Sequence, residues 1–293
     1  VDYLALSVTD PGLVSVGHLE TQSGSTTEPL DVDADSVVLT ATDGVDANAL
    51  GTQGATTAAT GGAVGLSYGQ ATSGGNGLTQ HALSLSQDPS GSTAPTATAR
   101  EDRVVHLDGD WSISCTGLGT DLQLNAVSTG SAPRPVTYVA MESPPDEPTP
   151  EVGVLADGEN TLSGDGRPGA IEFVALPGVT DTDMKAGTAV SLPDTTVGLG
   201  HGLTTGVGRQ RAMADTVTDG AVAAPTATGS VVDVPTGTST SITVELKAVR
   251  DGSFTVSFAE GTPADCLVCY RVWPAQPVER EFVADTTLTF DEL

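Results

Sequence analysis

The sequence predicts an all-β protein made of two tandem antiparallel β-sandwich domains, jelly-roll-like and related by internal duplication. Three observations carry the prediction. Apolar and polar residues alternate with period two along both halves, which puts one strand face on a core and the other in water. Asp-Gly dipeptides punctuate these runs. Short signatures also recur in the same order at a nearly constant spacing.

Taken in chain order, the first β-branched run is Ser36-Val37-Val38-Leu39-Thr40, followed by the turn signal Asp43-Gly44. Trp111-Ser112-Ile113-Ser114-Cys115, preceded by Asp108-Gly109, and Asp121-Leu122-Gln123-Leu124-Asn125-Ala126 alternate cleanly. In the second half, Ser241-Ile242-Thr243-Val244-Glu245-Leu246 and Ser253-Phe254-Thr255-Val256-Ser257-Phe258 do the same around Asp251-Gly252, with Asp219-Gly220 upstream. The nearest approach to a helix is the short stretch Arg209 to Thr216. Each copy should therefore be a two-sheet sandwich of about eight strands.

The repeat fixes the expected boundaries. Val64-Gly65-Leu66-Ser67-Tyr68-Gly69 answers to Val197-Gly198-Leu199-Gly200-His201-Gly202, and Gln80-His81-Ala82 to Gln210-Arg211-Ala212. Pro95-Thr96-Ala97-Thr98 recurs unchanged as Pro225-Thr226-Ala227-Thr228. Val37-Val38-Leu39 pairs with Ile171-Glu172-Phe173, and Val136 to Met141 with Val268 to Trp273. Offsets stay within 130–134 residues. Copy one is expected over 1–141, a Pro-rich semi-rigid linker over 142–150, copy two over 151–274, and an acidic tail over 275–293. In that tail Thr286-Thr287-Leu288-Thr289-Phe290 reads as a strand for a neighbour's sheet edge.

Charge is the strongest compositional signal: 38 acidic against 11 basic residues, a net charge of −27. Lys185 and Lys247 are the two lysines. The acidic residues are scattered among β-branched runs, which argues against a disordered acidic chain. A salt-adapted protein explains them better, because multimolar salt screens carboxylate repulsion to within a few ångströms. Nucleic-acid binding is excluded for want of a basic patch. No segment reads as a signal peptide or membrane span. Three cysteines, Cys115, Cys266 and Cys269, are too few for a disulfide framework. None of Asn48, Asn76, Asn125 and Asn160 lies in a glycosylation sequon, which disfavours a surface-layer glycoprotein.

Four constellations invite chemistry. Gly65-Leu66-Ser67-Tyr68-Gly69 fits the G-x-S-x-G of a nucleophile elbow, yet the elbow needs a helix next, and Gln70 to Thr79 reads as loop. Its counterpart in copy two is Gly200, so Ser67 should be a replaceable residue where a strand ends in a glycine turn. Cys266-x-x-Cys269 lies on a strand, where residues three apart face opposite sides, and no second pair completes a zinc site. Asp31-x-Asp33-x-Asp35-Ser36 imitates a calcium loop, but Thr42 stands where a bidentate Glu is needed. His106, Asp108 and Asp110 share one strand face without an equivalent in copy two. Trp111 and Trp273 read as packing residues. No catalytic, cofactor-binding or metal-binding residue is expected.

The order of the signatures resembles a family of β-sandwich proteins in tailed viruses of bacteria and archaea. Its pattern is a strand before V-G-x-G-x-G, a Gln-Arg-Ala-like strand, an Asp-Gly turn and a closing pair of the type D-G-F-T-V-x-F … Y-x-x-W. Copy two carries it best, at Val197 to Gly202, Gln210 to Met213, Asp219-Gly220, Asp251 to Phe258 and Tyr270 to Trp273. Copy one is more degenerate, with Leu122 and Leu124 in place of aromatics. Family members are often single-domain, so the duplication is a departure. The resemblance implies a non-enzymatic virion protein on the particle surface: a capsid decoration or turret subunit, or a tail or fibre component. With the charge, it implies a virus of halophilic archaea. Expected partners are other virion proteins, a host cell-surface receptor and further copies of the chain; a trimer would give a pseudo-sixfold ring. The alternative expectation is a lectin-like cell-surface or secreted module of a haloarchaeon, with a hydrolase third.

Overall fold

The computed structural model describes residues 14–42, 64–74, 77–87, 94–107, 111–128, 134–142, 151–155, 158–163, 168–192, 196–207, 209–218, 221–235, 241–260 and 266–274. In chain order the first half contributes β1 (Val14–Thr21), β2 (Gly24–Pro29), β3 (Ser36–Thr42), β4 (Val64–Gly74), β5 (Gly77–Gln87), β6 (Thr96–Arg100), β7 (Val105–Leu107), β8 (Trp111–Gly117), β9 (Asp121–Ser128) and β10 (Arg134–Met141). The second contributes β11 (Glu151–Leu155), β12 (Glu159–Ser163), β13 (Pro168–Pro177), α1 (Asp181–Ala186), β14 (Val190–Ser191), β15 (Thr196–Thr204), β16 (Gln210–Thr218), β17 (Ala221–Thr228), β18 (Val232–Pro235), β19 (Ser241–Arg250), β20 (Ser253–Glu260) and β21 (Cys266–Pro274).

The protein is nearly all β, in antiparallel sheets. A large sheet runs β1-β10-β3-β4-β5-β6-β14 and a small one β2-β9-β8-β7; a second large sheet runs β11-β21-β13-β15-β16-β17 and a second small one β12-β20-β19-β18. Replacing β1, β2 and β3 by β11, β12 and β13, and β4 through β10 by β15 through β21, converts the first pair of strand orders into the second. The exception is β14, which leaves the second half and pairs with β6 of the first.

Three apolar cores separate four layers. Leu39, Trp111, Ile113, Leu122 and Leu124 fill the space between the first large and small sheets. Phe173, Val244, Phe254, Val256 and Tyr270 fill the equivalent space in the second half. The third core lies between the two large sheets, where Leu83, Leu85, Ala97 and Ala99 meet Val174, Leu176, Leu199, Leu267 and Cys269. Strands β13 and β21 therefore bury both faces. Their sequences, PGAIEFVALP and CLVCYRVWP, show the near-continuous apolar runs that two-sided burial demands.

Three expectations need correction. Among the described residues each half contributes ten strands to its two sheets, because the chain turns within a sheet more often than the punctuation suggested. The sequence offers no convincing helix, yet the described residues contain α1; the nearest approach, Arg209 to Thr216, lies from Gln210 onward in β16. Gln70 to Thr79 is no loop either: β4 continues to Gly74 and β5 begins at Gly77, with the two paired from Val64↔Gln87 to Gly74↔Gly77. The strand expected over Thr286–Phe290 lies outside the described residues, as do most of the linker and the turns at Asp43, Asp108 and Asp219.

Glycines of the repeated signature explain why it repeats. A Cβ on Gly69 would overlap the carbonyl oxygen of Val104, and one on Gly202 would overlap that of Val231. At both places the chain entering the small sheet crosses directly over the large one. Val104 N–H then donates to Ile113 O at 2.8 Å, and Val231 N–H to Val244 O at 2.9 Å. Gly69→Ala and Gly202→Ala should each destabilise the fold by about 3 kcal/mol, the upper end for overpacking, whereas Gly74→Ala, in open space, should cost far less; denaturant titration compares them.

Candidate functional site

A glutamine joins the two sheets of each half. Gln80 on β5 donates Nε2–H to Cys115 O at 3.2 Å and accepts Cys115 N–H on Oε1 at 2.8 Å. Gln210 on β16 treats Leu246 identically, at 3.2 and 2.7 Å. Each partner sits at a register shift, Cys115/Gly117 in β8 and Leu246/Ala248 in β19. A bulge withdraws a residue's N–H and C=O from the ladder, and one primary amide satisfies both. The Gln-x-Ala signature is thus an inter-sheet clamp. Its first residue was visible in the repeat, but its role was not.

The second feature is the seam between the large sheets, which combines apolar contacts with a polar strip. Tyr68 on β4 meets His201 on β15 edge to face, with ring centroids 6.0 Å apart. Arg271 on β21 is buried and donates Nη1–H to Met141 Sδ at 3.4 Å. Glu172 lies directly across from Arg271 in the β13–β21 ladder. Burial, then the Glu172 charge, lifts the Tyr68 hydroxyl well above its ordinary range, so it stays protonated. Gln70 and His81, opposite one another in β4 and β5, place Nε2 and Nδ1 in buried positions without hydrogen-bond partners among the described residues. Burial holds the His81 imidazole below its usual pKa, partly opposed by Glu101.

An arm closes the seam at one side. Thr180 caps α1: its Oγ1 accepts Asp183 N–H at 3.2 Å, and its own N–H reaches Asp183 Oδ2 at 3.0 Å. The Thr180 hydroxyl, which donates to Asp183 Oδ2 at 2.6 Å, and then the Thr180 N–H hold the Asp183 carboxyl below its ordinary range. Gly187 ends the helix with φ of 63°, a left-handed position without penalty for glycine, packed against the Arg100 guanidinium. Met184 and Leu192 enter the seam core. Beyond the helix, Val190 and Ser191 pair with Ala97 and Thr96, and Leu192 N–H donates to Pro95 O at 2.9 Å. Arg100 chelates Asp102 at 2.9 and 3.0 Å, which pulls the Asp102 carboxyl down and the Arg100 guanidinium up.

The residues that invited chemistry are dispersed. Ser67 is buried mid-strand, accepting His106 N–H at 3.2 Å; no strand end or glycine turn occurs there, contrary to the expectation. A Cβ at its counterpart, Gly200, would strike Val234. Cys266 faces the core of the second half and Cys269 the seam, and burial pushes both thiols up to about 12. Cys115 is pushed up to about 11, chiefly by burial. Thiols so displaced stay protonated at neutral pH and make poor nucleophiles and ligands. Asp31 and Asp33 are exposed on the bent connection between β2 and β3, whose Val32 and Ala34 enter the first core. That connection is held by Ala34 N–H to Gly119 O at 3.0 Å and Asp35 N–H to Met141 O at 3.0 Å. Thr42 ends β3. Asp108 and Asp110 lie outside the described residues, so the His106 triad is undescribed there. Trp111 is fully buried with the Arg134 guanidinium 5.2 Å from its ring centre. Among the described residues no cluster of metal-ligating side chains forms, and no helix is long and apolar enough to cross a membrane.

No protein-family model matches the chain, and no curated protein matches it.

Removing either clamp leaves a buried N–H and C=O unsatisfied, at about 1–3 kcal/mol each. Gln80→Leu and Gln210→Leu should therefore each lower unfolding free energy by about 2–4 kcal/mol, and equal effects in the two halves are expected by calorimetry. A histidine depressed in the fold takes up its proton more readily when unfolded. Stability should thus fall as pH drops through 6.5, the ordinary value of an imidazole in the unfolded chain. Denaturant midpoints above and below that pH should differ less in His81→Asn than in wild type.

Proposed function

We propose that this chain is a non-enzymatic building block of a virion surface, a capsid decoration or turret subunit or a tail or fibre component, from a virus of halophilic archaea. The reading includes a tandem duplication of one jelly-roll-like sandwich over 1–141 and 151–274, joined by 142–150. The observation that carries it is the pair of inter-sheet devices, Gln80 with Gly69 and Gln210 with Gly202, at matching places in two sheets of matching strand order. The signatures behind the resemblance to tailed-virus sandwich proteins serve as fold-building devices, as an architectural protein requires. Ser67, Cys266 and Cys269 are spent on packing, consistent with a role exercised through contacts. The net charge of −27 and two lysines support function in concentrated salt.

Labelling with an antibody against the chain, followed by electron microscopy of particles from a halophilic host culture, tests the proposal. Dense regular decoration of heads or tails is expected. Label confined to the cell envelope would favour the lectin-like module instead, and label confined to host cytoplasm would exclude both.

A further inference from the structure

The arm over residues 178–192 is organised mostly by bonds within itself. Thr180 and Asp183 satisfy each other at the start of α1. Met184 N–H donates to Thr180 O, and the N–H groups of Gly187 and Thr188 close the helix on Met184 O and Asp183 O, each at 3.0 Å. Lys185 Nζ reaches Asp181 Oδ2 at 2.6 Å. The two ends of the arm meet. Gly178, which follows β13 with φ of 76°, lies so close to Leu192 that a Cβ there would strike its Cδ2. A segment whose ends touch and whose turns satisfy their own polar groups is a self-contained surface loop. Such a loop can lift away without pulling on β13 or β15.

Its ties to the remainder of the chain are of two kinds. Val179, Met184 and Leu192 are buried in the seam core with Leu83, Leu85 and Ala97. The backbone joins β6 through a two-residue ladder, Val190 to Ala97 and Ser191 to Thr96, and through Leu192 N–H on Pro95 O. The large sheets also meet without the arm, because Leu176 of β13 and Leu267 of β21 lie in the same core.

We infer that residues 178–192 form a strap that opens as one unit while both sandwiches and the seam between them stay folded, and that its closure withholds the β6 edge from other strands. Closed is the ground state, since Val179, Met184 and Leu192 are then removed from water. Open, the strap releases the outward backbone groups of Pro95–Ala97. An uncovered edge beside apolar side chains is a template for strand addition, and a covering loop is one way a fold suppresses it. Local opening draws on the least firmly tied parts of a structure. Gly187 is the latch. It ends α1 with φ of 63°, and a Cβ on it would strike the Arg100 guanidinium, which Asp102 holds in place. Arg100 closes β6, so the helix end is pressed against the strand it guards. Gly187→Ala penalises the closed strap through strain and the displaced guanidinium, and leaves the sandwich cores alone.

Hydrogen exchange on the full chain tests the strap. In wild type the amides of Val190, Leu192 and Ala97 should share one protection factor, well below those of Leu83 and Val174 in the seam. Gly187→Ala should lower the shared value by about ten-fold, the cost of a side chain in the left-handed region, with Leu83 and Val174 unchanged. Ala97→Cys with Val190→Cys places thiols directly opposite one another in the ladder, and the native cysteines are buried. The resulting disulfide should raise the protection of Leu192 above that of the reduced double variant; it decides the matter if Gly187→Ala fails to fold. Equal protection of strap and seam in wild type would overturn the strap. So would a Gly187→Ala variant that lowers all of these amides alike, or a disulfide that leaves Leu192 unchanged. None of these outcomes bears on the virion reading.

Discussion

Burial between the two large sheets is the constraint on which the architecture depends. Leu83, Leu85, Leu176 and Leu267 are wholly removed from water there. At about 2 kcal/mol for each buried leucine side chain, they contribute on the order of 8 kcal/mol, comparable with the whole net stability of an ordinary domain. The halves are therefore bound to one another by a core of the same kind as those inside them. That explains why β13 and β21 have almost no polar positions through Val174–Pro177 and Cys266–Cys269. It also explains the arm: the first large sheet presents its β5–β6 face to the seam, and α1 with β14 covers what β13 and β15 leave open. The polar strip of Tyr68, His201, Glu172 and Arg271 adds direction to an attraction that otherwise has none.

The same constraint accounts for the difference between halves that share a strand order. One ladder row of the second large sheet reads Cys269, Val174, His201; the matching row of the first reads Thr137, Thr40, Tyr68. The outermost members differ because one sheet is covered on that side and the other faces solvent. Tyr68 and His201, equivalent in register, touch each other. The halves share the devices that hold their sheets together, the crossover glycine and the clamp glutamine. They differ where the second must adhere and the first must not.

Much of this was legible in the sequence. Alternation around Trp111, Asp121, Ser241 and Ser253 placed four strands of the small sheets correctly, because one face of each is solvated and the period-two signal survives. The recurrence of V-G-x-x-x-G and Gln-x-Ala identified the positions that matter, and the spacing of Cys266 and Cys269 foretold their opposite faces. What was not legible depends on two-sided burial and on partners distant in the chain. The G-x-S-x-G match misled because its final glycine answers to a carbonyl 35 residues on, at Val104, instead of to a local turn. Six-residue α1 offers too little periodicity to be seen, and only Thr180-x-x-Asp183 marks it. Nothing near Val190 announces that it will extend a sheet belonging to the other half.

That exchanged segment has a consequence for biosynthesis. The chain emerges from the ribosome first half foremost, so β6 is made long before the strand that will flank it. Until residues 178–192 are synthesised, the nascent protein carries an uncovered backbone ladder at Pro95–Ala97 and the naked leucines of β5 beside it. Maturation of the leading half is thus deferred to the arrival of the trailing one, and the interval between them is when chaperone protection would matter most.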